Sequence, residues 1–461
     1  MLQRTVSPVD GSVYVERPLA SDADIDAALT LARLAKHAWR ETSLADRATI
    51  LKKFCTVFES KTEAIALELA WQIGRPIRYA PSEVRGMLDR ARHMIEIAPQ
   101  ALADVDAGAK ENFTRFVRRE PLGVVFTVAA WNYPYLIAVN SVVPALMAGN
   151  AVILKHSAQT PLCSERYAEC FREAGLPEGV FQVLHMSHES TEKVIRDVRV
   201  DYVAFTGSVA GGHAVQRALA DRFIGAGLEL GGCDPVYVRQ DANLAHAIEN
   251  IVDGAYFNSG QSCCGLQRVY VHESLYRLFV EGFIDLTRKY ILGNPLEPET
   301  TLGPVVRTSA ADQIRQQVDA SIQAGAKATI EAKQFPASRA GTPYVAPQVL
   351  LDVDHSMPVM REEIFGPVAG IMQVRSDEEA IGLMNDSSFG LTAAIWTRDA
   401  DAALSIGNRI DTGTWFMNRC DYLDPALAWV GVKDSGRGAA LSSVGYEHLT
   451  RPKSFHLRTK L

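Results

Sequence analysis

Apolar positions in the first part of the chain recur at the spacing of a helix. Ser21 and Ser43 are predicted N-caps, and Gly74 followed by Pro76 is a stop signal. The pattern therefore predicts helices between Ser21 and about Gly74. Another helix is predicted to follow Pro81.

From residue 113 the helical spacing of apolar residues gives way to the pattern of extended strands. FTRFVRR and LGVVFTVAAW flank the turn-like EPLG and are predicted to be two extended segments. Charges alternate along the first segment, and they alternate again in TRPKSFHLR near the end of the chain. These two charged segments are predicted to pair with each other in a ribbon outside the main core.

Short strands rich in valine, isoleucine and phenylalanine then alternate with helices. The predicted strands lie in VVFTVAA, AVILK, FQVL, VDYVAFT and GLEL. Such alternation is typical of βαβ units in a parallel sheet, whose ligands bind at the carboxyl ends of the strands. A second section of the same kind begins after Gly232 and continues through LTAAIWT. The predicted fold class is therefore α/β.

One glycine-rich turn stands at a candidate ligand position. VDYVAFTGSVAGG places Gly207 and Gly212 between a strand and the start of a helix. The free amides of a helix N-terminus can hold a phosphate, which would suit a nucleotide. The spacing is not that of a GxGxxG motif, and an ordinary glycine turn accounts for it equally well.

Composition narrows the function classes. The chain has 461 residues, 47% hydrophobic and 22% charged, which is ordinary for two or three globular domains. The net charge is -7 and no basic run occurs, so a small substrate is expected rather than nucleic acid or an anionic membrane. No signal peptide or membrane span is recognised, and a cytoplasmic protein is expected. The seven cysteines form no CxxC pair and no zinc spacing, so neither disulfides nor a metal are predicted.

The stretch FNSGQSCCG contains the candidate nucleophile. It places Cys263 and Cys264 beside a glycine and small polar residues. A thiol in such backbone becomes reactive when amides, a helix end or a cation stabilise its thiolate. The alternative is that Cys263 is one more buried thiol, as most cysteines inside cells are.

Seven stretches resemble segments of the aldehyde dehydrogenase superfamily, in the same order and at fitting spacing nearly from end to end. They are AAWNYP (129–134), ILK ending at Lys155, FTGSVAGG, LELGG (228–232), GQSC (260–263), EEIFGPV (362–368) and GVKDSGRG (431–438). The resemblance implies a Rossmann-like parallel-sheet cofactor domain, an α/β catalytic domain and a small β oligomerisation ribbon. The implied ranges are 1–102 with 122–231, then 232–435, and 103–121 with 436–461. A homodimer or homotetramer is implied as well.

The resemblance also implies catalytic roles. Cys263 is the nucleophile that adds to an aldehyde carbonyl, after which a nicotinamide accepts hydride. Asn132 donates to the oxyanion together with the backbone amide of Cys263. Glu229 is the general base that activates water to release the carboxylic acid. Its place between Leu228 and Leu230 at a strand end predicts burial and a pKa raised towards neutral.

The implied cofactor is NAD or NADP. Lys155 matches the ligand of the adenosine ribose, and Ser208 matches the pyrophosphate contact. Glu363 holds the nicotinamide ribose, and Phe365 flanks the nicotinamide ring. The full set of residues assigned to the cofactor is Trp131, Lys155, Gly207, Ser208, Gly212, Glu363 and Phe365.

The chain departs from the family pattern after Lys155. Ala158 stands where a glutamate commonly binds the 2′-hydroxyl of NAD and repels the phosphate of NADP. Lys155 remains as a cation, and His156 is expected to add a second one at low pH. Use of both cofactors is therefore expected, with NAD at least workable. Ser141 also stands where a lysine is common in the family, and Ala440 where a glutamate is common.

The substrate is implied to be a small aldehyde. The residues that match the family's substrate entrance are Asn140, Arg419, Asp421, Leu423 and Trp429. This partly polar set indicates a polar aldehyde or a semialdehyde, with Arg419 as a candidate partner for a carboxylate. A surface ion pair between Arg419 and Asp421 is an equally good interpretation.

Three other functions remain compatible with the sequence. A coenzyme A-acylating enzyme of the same fold would release the thioester to a thiol, and Glu229 counts against it. A catalytically silent structural or binding protein would not need Cys263, Glu229 and Asn132. A cysteine hydrolase would need a histidine base near Cys263, and a histidine distant in sequence could supply one.

Overall fold

The structure, a computed structural model, describes residues 1–460. Its strands are β1 (Leu2–Val6), β2 (Val13–Pro18), β3 (Val105–Asp106), β4 (Phe113–Pro121), β5 (Val124–Ala129), β6 (Ala151–His156), β7 (Phe181–Val183), β8 (Tyr202–Thr206), β9 (Gly225–Glu229), β10 (Asp234–Val238), β11 (Leu266–His272), β12 (Lys327–Ala328), β13 (Gln348–Leu351), β14 (Val368–Val374), β15 (Phe389–Gly390), β16 (Thr392–Trp396), β17 (Thr414–Met417), β18 (Val432–Lys433), β19 (Gly436–Arg437) and β20 (Thr450–Arg458).

Its helices are α1 (Asp22–Glu41), α2 (Leu44–Glu59), α3 (Thr62–Ile73), α4 (Pro81–Ala101), α5 (Pro134–Ala148), α6 (Pro161–Ala174), α7 (His188–Arg196), α8 (Val209–Ala218), α9 (Leu244–Tyr256), α10 (Glu273–Thr287), α11 (Thr308–Gln323), α12 (Pro358–Arg361), α13 (Asp377–Asn385), α14 (Ala400–Gly407) and α15 (Ser442–His448). The predicted α/β fold class is confirmed.

The N-terminal helices begin and end where capping residues predict. Ser21 and Ser43 cap α1 and α2 through their hydroxyl oxygens, and Gly74 ends α3 in the left-handed conformation with φ of 77°. The sequence predicted only two helices before Gly74, whereas the structure has three. The chain turns at Ser60 and Lys61, where no glycine or proline signals a stop. Lys61 there forms ion pairs with two glutamates of α6.

A six-stranded sheet has the order β19-β9-β8-β5-β6-β7. The strands β5 to β9 are parallel, and only β19 is antiparallel. From β5 the chain proceeds outward to β6 and β7, and it then returns to add β8 and β9 on the other side. This reversal creates a crevice at the carboxyl ends of β5 and β8, which is where open α/β sheets bind ligands.

A second sheet has the order β12-β13-β14-β11-β10-β16-β17 and is parallel except for β12. Strand β10 follows β9 after a short loop, so the two sheets are joined where β9 ends. Strands β10, β11 and β16 are almost completely buried, as expected for parallel strands covered on both faces.

The charged segments pair as predicted. Strand β20 is antiparallel to β4 from Thr450 opposite Pro121 to Arg458 opposite Phe113, and β3 lies on the other side of β4. Gly436 and Arg437, predicted to begin the C-terminal segment, pair with β9 in the six-stranded sheet. Within residues 1–460, no helix is long and apolar enough to cross a membrane.

Candidate active site

The loop before the two thiols has a strained backbone held by specific contacts. Asn258 and Ser259 adopt positive φ of 53° and 57°, and Gly260 follows with 70°. Nδ2 of Asn258 donates to the backbone carbonyl of Asn132 at 3.0 Å, and the hydroxyl of Ser259 donates to the backbone carbonyl of Gly303 at 2.8 Å. A Cβ on Gly260 would lie 2.1 Å from the carbonyl oxygen of Gly366. Strained backbone retained in this way is common at functional sites.

The two thiols have different surroundings. Cys263 is half-buried and lines a pocket of about 460 Å³. Cys264 is buried, and its thiol donates to Oδ1 of Asp421 at 2.9 Å. Its contact with the Cys263 thiol and its burial raise the pKa of Cys264 well above its ordinary value. Cys264 therefore remains a thiol, which leaves Cys263 as the candidate nucleophile.

Asn132 is buried beside this loop. Its Nδ2 donates to the backbone carbonyl of Gln261 at 3.2 Å. Its own backbone carbonyl accepts from Nη2 of Arg75 at 2.6 Å, which fixes the turn before α5. A side-chain amide has two N–H groups, so the contact with Gln261 leaves one for an oxyanion in the pocket.

Glu229 reaches the same pocket from the end of β9. Burial raises its pKa to about 7, against the opposing effects of Arg90 and of a contact with Trp429. The predicted shift towards neutral pKa is thus confirmed, and the carboxylate form can accept a proton near neutral pH. Gly232, three residues after Glu229, allows the backbone of Cys263 to come close. A Cβ on Gly232 would lie 2.2 Å from the carbonyl oxygen of Cys263.

Four of the five predicted substrate residues line the pocket, namely Asn140, Asp421, Leu423 and Trp429. Arg419 does not line it. Its guanidinium carbon lies 3.4 Å from the centre of the Tyr422 ring on the exposed surface, outside the pocket lining. The alternative ion pair is absent too within residues 1–460. Asp421 instead accepts from Ser262 and Cys264, because the backbone directs its side chain inward.

Three charged residues that the sequence motifs do not include form part of the pocket wall. Arg75 and Glu83 form a buried ion pair, and Glu83 also accepts from the amides of Tyr135 and Leu136 at the start of α5. Arg90 lines the pocket from α4 and is also buried. Glu83 and Arg90 are seven residues apart on one helix, so both lie on its apolar face. That placement of charges on a core-facing stripe was the available signal.

Lys155 and His156 lie at the end of β6. Both were expected to offer a positive charge to the cofactor, and only Lys155 is placed to do so. Lys155 is buried, burial lowers its pKa, and it has no protein partner among the described residues. His156 is not an added cation. Its Nε2 lies 3.1 Å from the carbonyl of Pro134, its Nδ1 contacts Thr160, and burial lowers its pKa to about 4. His156 is therefore a neutral structural residue.

The glycine turn lies at the end of β8. Ser208 caps α8 by accepting from the amide of Gly211 at 3.2 Å. A Cβ on Gly207 would lie 2.7 Å from the Phe205 ring, and one on Gly212 would lie 2.7 Å from the side chain of Leu230. Both glycines therefore pack closely against these side chains, which would have to shift to accept a larger residue.

The remaining cofactor residues meet across the two sheets. The rings of Trp131 and Phe365 pack edge to face with centroids 5.7 Å apart. Glu363 accepts from the amide of Gly232 at 3.0 Å, and burial raises its pKa to about 7. A Cβ on Gly231 would lie 2.4 Å from the Glu363 carboxylate, so this glycine permits the approach.

These positions suit a dinucleotide. The register aligns Val128 with Lys155 and Thr206 with Glu229, so the candidate cofactor residues follow neighbouring strand ends. Lys155 offers an unpaired buried cation to a ribose, and the capped start of α8 offers amides to a phosphate. Trp131 and Phe365 add an aromatic contact. The residues present therefore fit a nicotinamide dinucleotide bound beside Cys263.

Comparison with known proteins gives the class. The sequence pattern of the aldehyde dehydrogenase family matches residues 2–455. The succinate-semialdehyde dehydrogenase [NADP(+)] of Mycobacterium avium (strain 104) is 34% identical over 453 residues, covering 98% of this chain and 95% of that protein. The succinate semialdehyde dehydrogenase [NAD(P)+] Sad of Escherichia coli (strain K12) is 33% identical over 441 residues, covering 96% and 95%.

A solved structure of succinic semialdehyde dehydrogenase from Streptococcus pyogenes in complex with NADP+ matches with a TM-score of 0.94. It is 26% identical, and the match covers 99% of this chain and all of that one. Fold and comparisons together define a nicotinamide-dependent oxidoreductase. The chain belongs to the aldehyde dehydrogenase family, and it is an enzyme of that class. The predicted family and reaction class are confirmed.

Proposed function

We propose that this chain oxidises a semialdehyde to the corresponding dicarboxylic acid, with Cys263 as nucleophile and with either NAD or NADP. The aldehyde, water and oxidised cofactor give the carboxylate, reduced cofactor and two protons. The observation that carries the proposal is the convergence of Cys263, Glu229, Asn132 and a buried arginine, Arg90, in one pocket.

The first step forms a bond between the Cys263 sulfur and the aldehyde carbon. The carbonyl oxygen becomes an oxyanion, which accepts from the free N–H of Asn132 and the backbone amide of Cys263. The nicotinamide cofactor, when bound, accepts the hydrogen of this carbon with its electron pair. A thioester on Cys263 remains. Loss of one oxyanion donor typically costs about 3 to 4 kcal/mol of transition-state stabilisation.

The second step hydrolyses the thioester. The Glu229 carboxylate removes a proton from water as the oxygen attacks the carbonyl carbon, and the bond between carbon and sulfur breaks. The acid leaves and the Cys263 thiolate is regenerated. Glu229 lines the pocket that contains the thioester, which supports water as the acceptor rather than a larger thiol. Among residues 1–460, no histidine lines the pocket, which argues against a cysteine hydrolase.

Lys155 and Ala158 support use of both cofactors. Lys155 has no protein partner in the described chain and is available to a ribose hydroxyl or to a 2′-phosphate. Ala158 is exposed and carries no charge that would repel the phosphate. The relatives from M. avium and E. coli are named as NADP(+) and NAD(P)+ enzymes, which supports this proposal.

A second candidate is an aldehyde with a positively charged end. Asp89 and Asp253 line the rim of the pocket, and no ion pair in the described chain involves either of them. Both are exposed, however, and water and salt screen their attraction for a cation. Arg90 is buried and its attraction for an anion is screened much less, so the semialdehyde is favoured.

The three-stranded ribbon supports assembly of a homodimer or homotetramer. Strand β20 lies at the edge of its sheet, and eight of its nine residues are exposed or half-buried. An edge strand offers unpaired backbone groups to another chain. Light scattering on the wild type and on Lys453→Pro and Ser454→Pro tests this. The N–H groups of adjacent residues point to opposite sides of a strand, so only one of the two prolines removes an N–H from the free edge of β20. That variant should assemble less well while β20 still pairs with β4.

The experiment that tests the function compares three aldehydes of similar length with NAD and with NADP, by following the absorbance of the reduced cofactor. Succinate semialdehyde should have the highest kcat/KM, followed by butanal and then 4-aminobutanal. A preference for the amine would support the second candidate, and no reduction of either cofactor by any aldehyde would contradict the mechanism.

A further inference from the structure

Arg90 differs from the other arginines that line the pocket because it is buried and forms no ion pair with an acid among the described residues. It is 8% exposed and extends from α4 towards α5. Within residues 1–460 it forms no ion pair, whereas Arg75 pairs with Glu83 and Arg92 pairs with Glu59. A buried arginine without a carboxylate is uncommon, because removing a charge from water costs several kcal/mol unless a partner compensates.

The guanidinium is held in place by one of its three nitrogens. Nη1 donates to the carbonyl of Leu136 at 2.8 Å and to Oδ1 of Asn140 at 3.1 Å. Nε and Nη2 carry three further N–H groups, and no acceptor in the described chain binds them. The side chain is therefore positioned by α5 while most of its donors remain available in a pocket that it lines.

The position of Arg90 suits a group remote from the reacting carbon. The same pocket contains Cys263 and Asn132, where the aldehyde must bind, and its volume of about 460 Å³ is appropriate for a small ligand. Asn140 lies beside the guanidinium, and its amide nitrogen offers another donor to the same anion.

The other cationic side chains near the pocket are not available to bind an anionic group of the substrate. Arg75 is consumed by Glu83 and by contacts with Asn132 and Asn258. Arg85 lies exposed at the rim, where its charge is screened by solvent. Arg419 lies outside the pocket lining. Arg90 is thus the buried cation that the pocket presents to a ligand.

We propose that Arg90 is the specificity-determining residue for the substrate, binding the carboxylate at the far end of a semialdehyde through Nε and Nη2. The inference rests on the proposed function, since it assigns the recognition of that substrate to one side chain. The planar fork of arginine matches the two oxygens of a carboxylate, which a lysine cannot do.

Arg90 also lies within electrostatic reach of Glu229, and this suggests a competing role. Glu229 and the two cysteine thiols raise the pKa of Arg90, against the larger lowering caused by burial. An arginine that acted only by stabilising the charged form of Glu229 would affect every aldehyde equally. An arginine that binds the substrate carboxylate would affect only acid-bearing aldehydes, so the two roles can be separated by experiment.

The test measures kcat/KM for succinate semialdehyde and for butanal in wild type, Arg90→Met and Arg90→Lys. Loss of charged hydrogen bonds should lower kcat/KM for the semialdehyde by roughly 10- to 100-fold in Arg90→Met, mainly through KM. The value for butanal should fall by much less, and Arg90→Lys should be intermediate. Succinate, used as a competitive probe, should inhibit wild type more strongly than Arg90→Met.

Two controls complete the design. Arg92→Met removes an arginine of the same helix that pairs with Glu59 outside the pocket, so both aldehydes should react as in wild type. Arg419→Ala should likewise leave the preference unchanged. Thermal unfolding identifies any Arg90 variant that fails to fold, and Arg90→Lys then carries the comparison.

If Arg90→Met lowered kcat/KM equally for both aldehydes and moved the pH-rate profile to higher pH, Arg90 would act by stabilising the charged form of Glu229. That result would overturn the proposal. A retained preference for the semialdehyde would overturn it as well. If wild type itself does not prefer the semialdehyde, the proposed substrate fails rather than the assignment of Arg90 alone.

Discussion

The thiol of Cys264 donates to Oδ1 of Asp421 at 2.9 Å, although 157 residues separate them in the chain. Ser262 donates to the same oxygen at 3.1 Å. Burial nevertheless raises the pKa of Asp421 to about 6, so the two donors compensate only part of the cost of burying this carboxylate. The hydrogen bond connects the loop that contains Cys263 to the loop that contains Asp421, and both loops line the pocket. Cys264 therefore has a structural function.

Cys263→Ala should abolish aldehyde oxidation with either cofactor, because Cys264 cannot form the thioester in its place. Cys264→Ala should retain most of kcat while losing about 1 to 3 kcal/mol of stability, because Asp421 loses a buried donor. Steady-state rates and urea unfolding measure the two effects. If Cys264→Ala lost activity and Cys263→Ala retained it, the nucleophile would be Cys264 and not Cys263.

Hydrolysis of the thioester should depend on pH through Glu229. The pKa of Glu229 is about 7, and the general base is the deprotonated form, so the rate should fall about tenfold per pH unit well below 7. Glu229→Gln should abolish this dependence and accumulate acyl-Cys263, seen as a burst of reduced cofactor and by mass spectrometry. Full turnover without a burst would remove Glu229 from the mechanism.

Glu363 also has a pKa of about 7, so its titration must be distinguished from that of Glu229. Glu363→Gln is the matched control for the pH dependence. It should change the affinity for the cofactor while the thioester is still hydrolysed with the same dependence on pH.

Ala158→Glu should raise the preference for NAD. A carboxylate at this position would bind the ribose 2′-hydroxyl of NAD and repel the 2′-phosphate of NADP. The exposed side chain leaves space for the substitution, and the carbonyl of Ala158 is fixed by Thr5 at 2.8 Å. Specificity constants for both cofactors decide the matter, with Ala158→Gln as an uncharged control of similar size. A wild type that already rejects NADP by several orders of magnitude would show that another residue controls the choice.

Glu83→Ala should destabilise the protein by about 3 to 5 kcal/mol, because it leaves Arg75 as an unpaired buried charge. Two amides at the start of α5 would also lose their acceptor. Urea unfolding measures the loss. Glu63→Ala, which removes an exposed acid from α3, is the control and should change stability by less than about 0.5 kcal/mol.

Much of the fold could be predicted because its signals are local. Ser21 and Ser43 cap their helices because a hydroxyl acceptor beside free amides is favourable wherever it occurs. The alternating charges of β4 and β20 indicated an exposed ribbon, and the two strands pair along nine residues. The break at Ser60 carried no such signal, because no glycine or proline marks it, and the ion pairs of the next residue, Lys61, are with residues of α6 that lie 108 and 112 positions away in the chain.

The sequence by itself determined the α/β class, the ribbon and, through the motifs, the candidates Cys263, Glu229 and Asn132. Only the tertiary structure decided which charges face the substrate. Arg419 was chosen because it matches the family's substrate entrance, yet its guanidinium lies over the ring of Tyr422. Arg90 belongs to no motif and reaches the pocket because α4 packs on α5, where Leu136 and Asn140 bind its guanidinium. Periodicity and capping act within a few residues, whereas a pocket is built by packing between elements far apart in the chain.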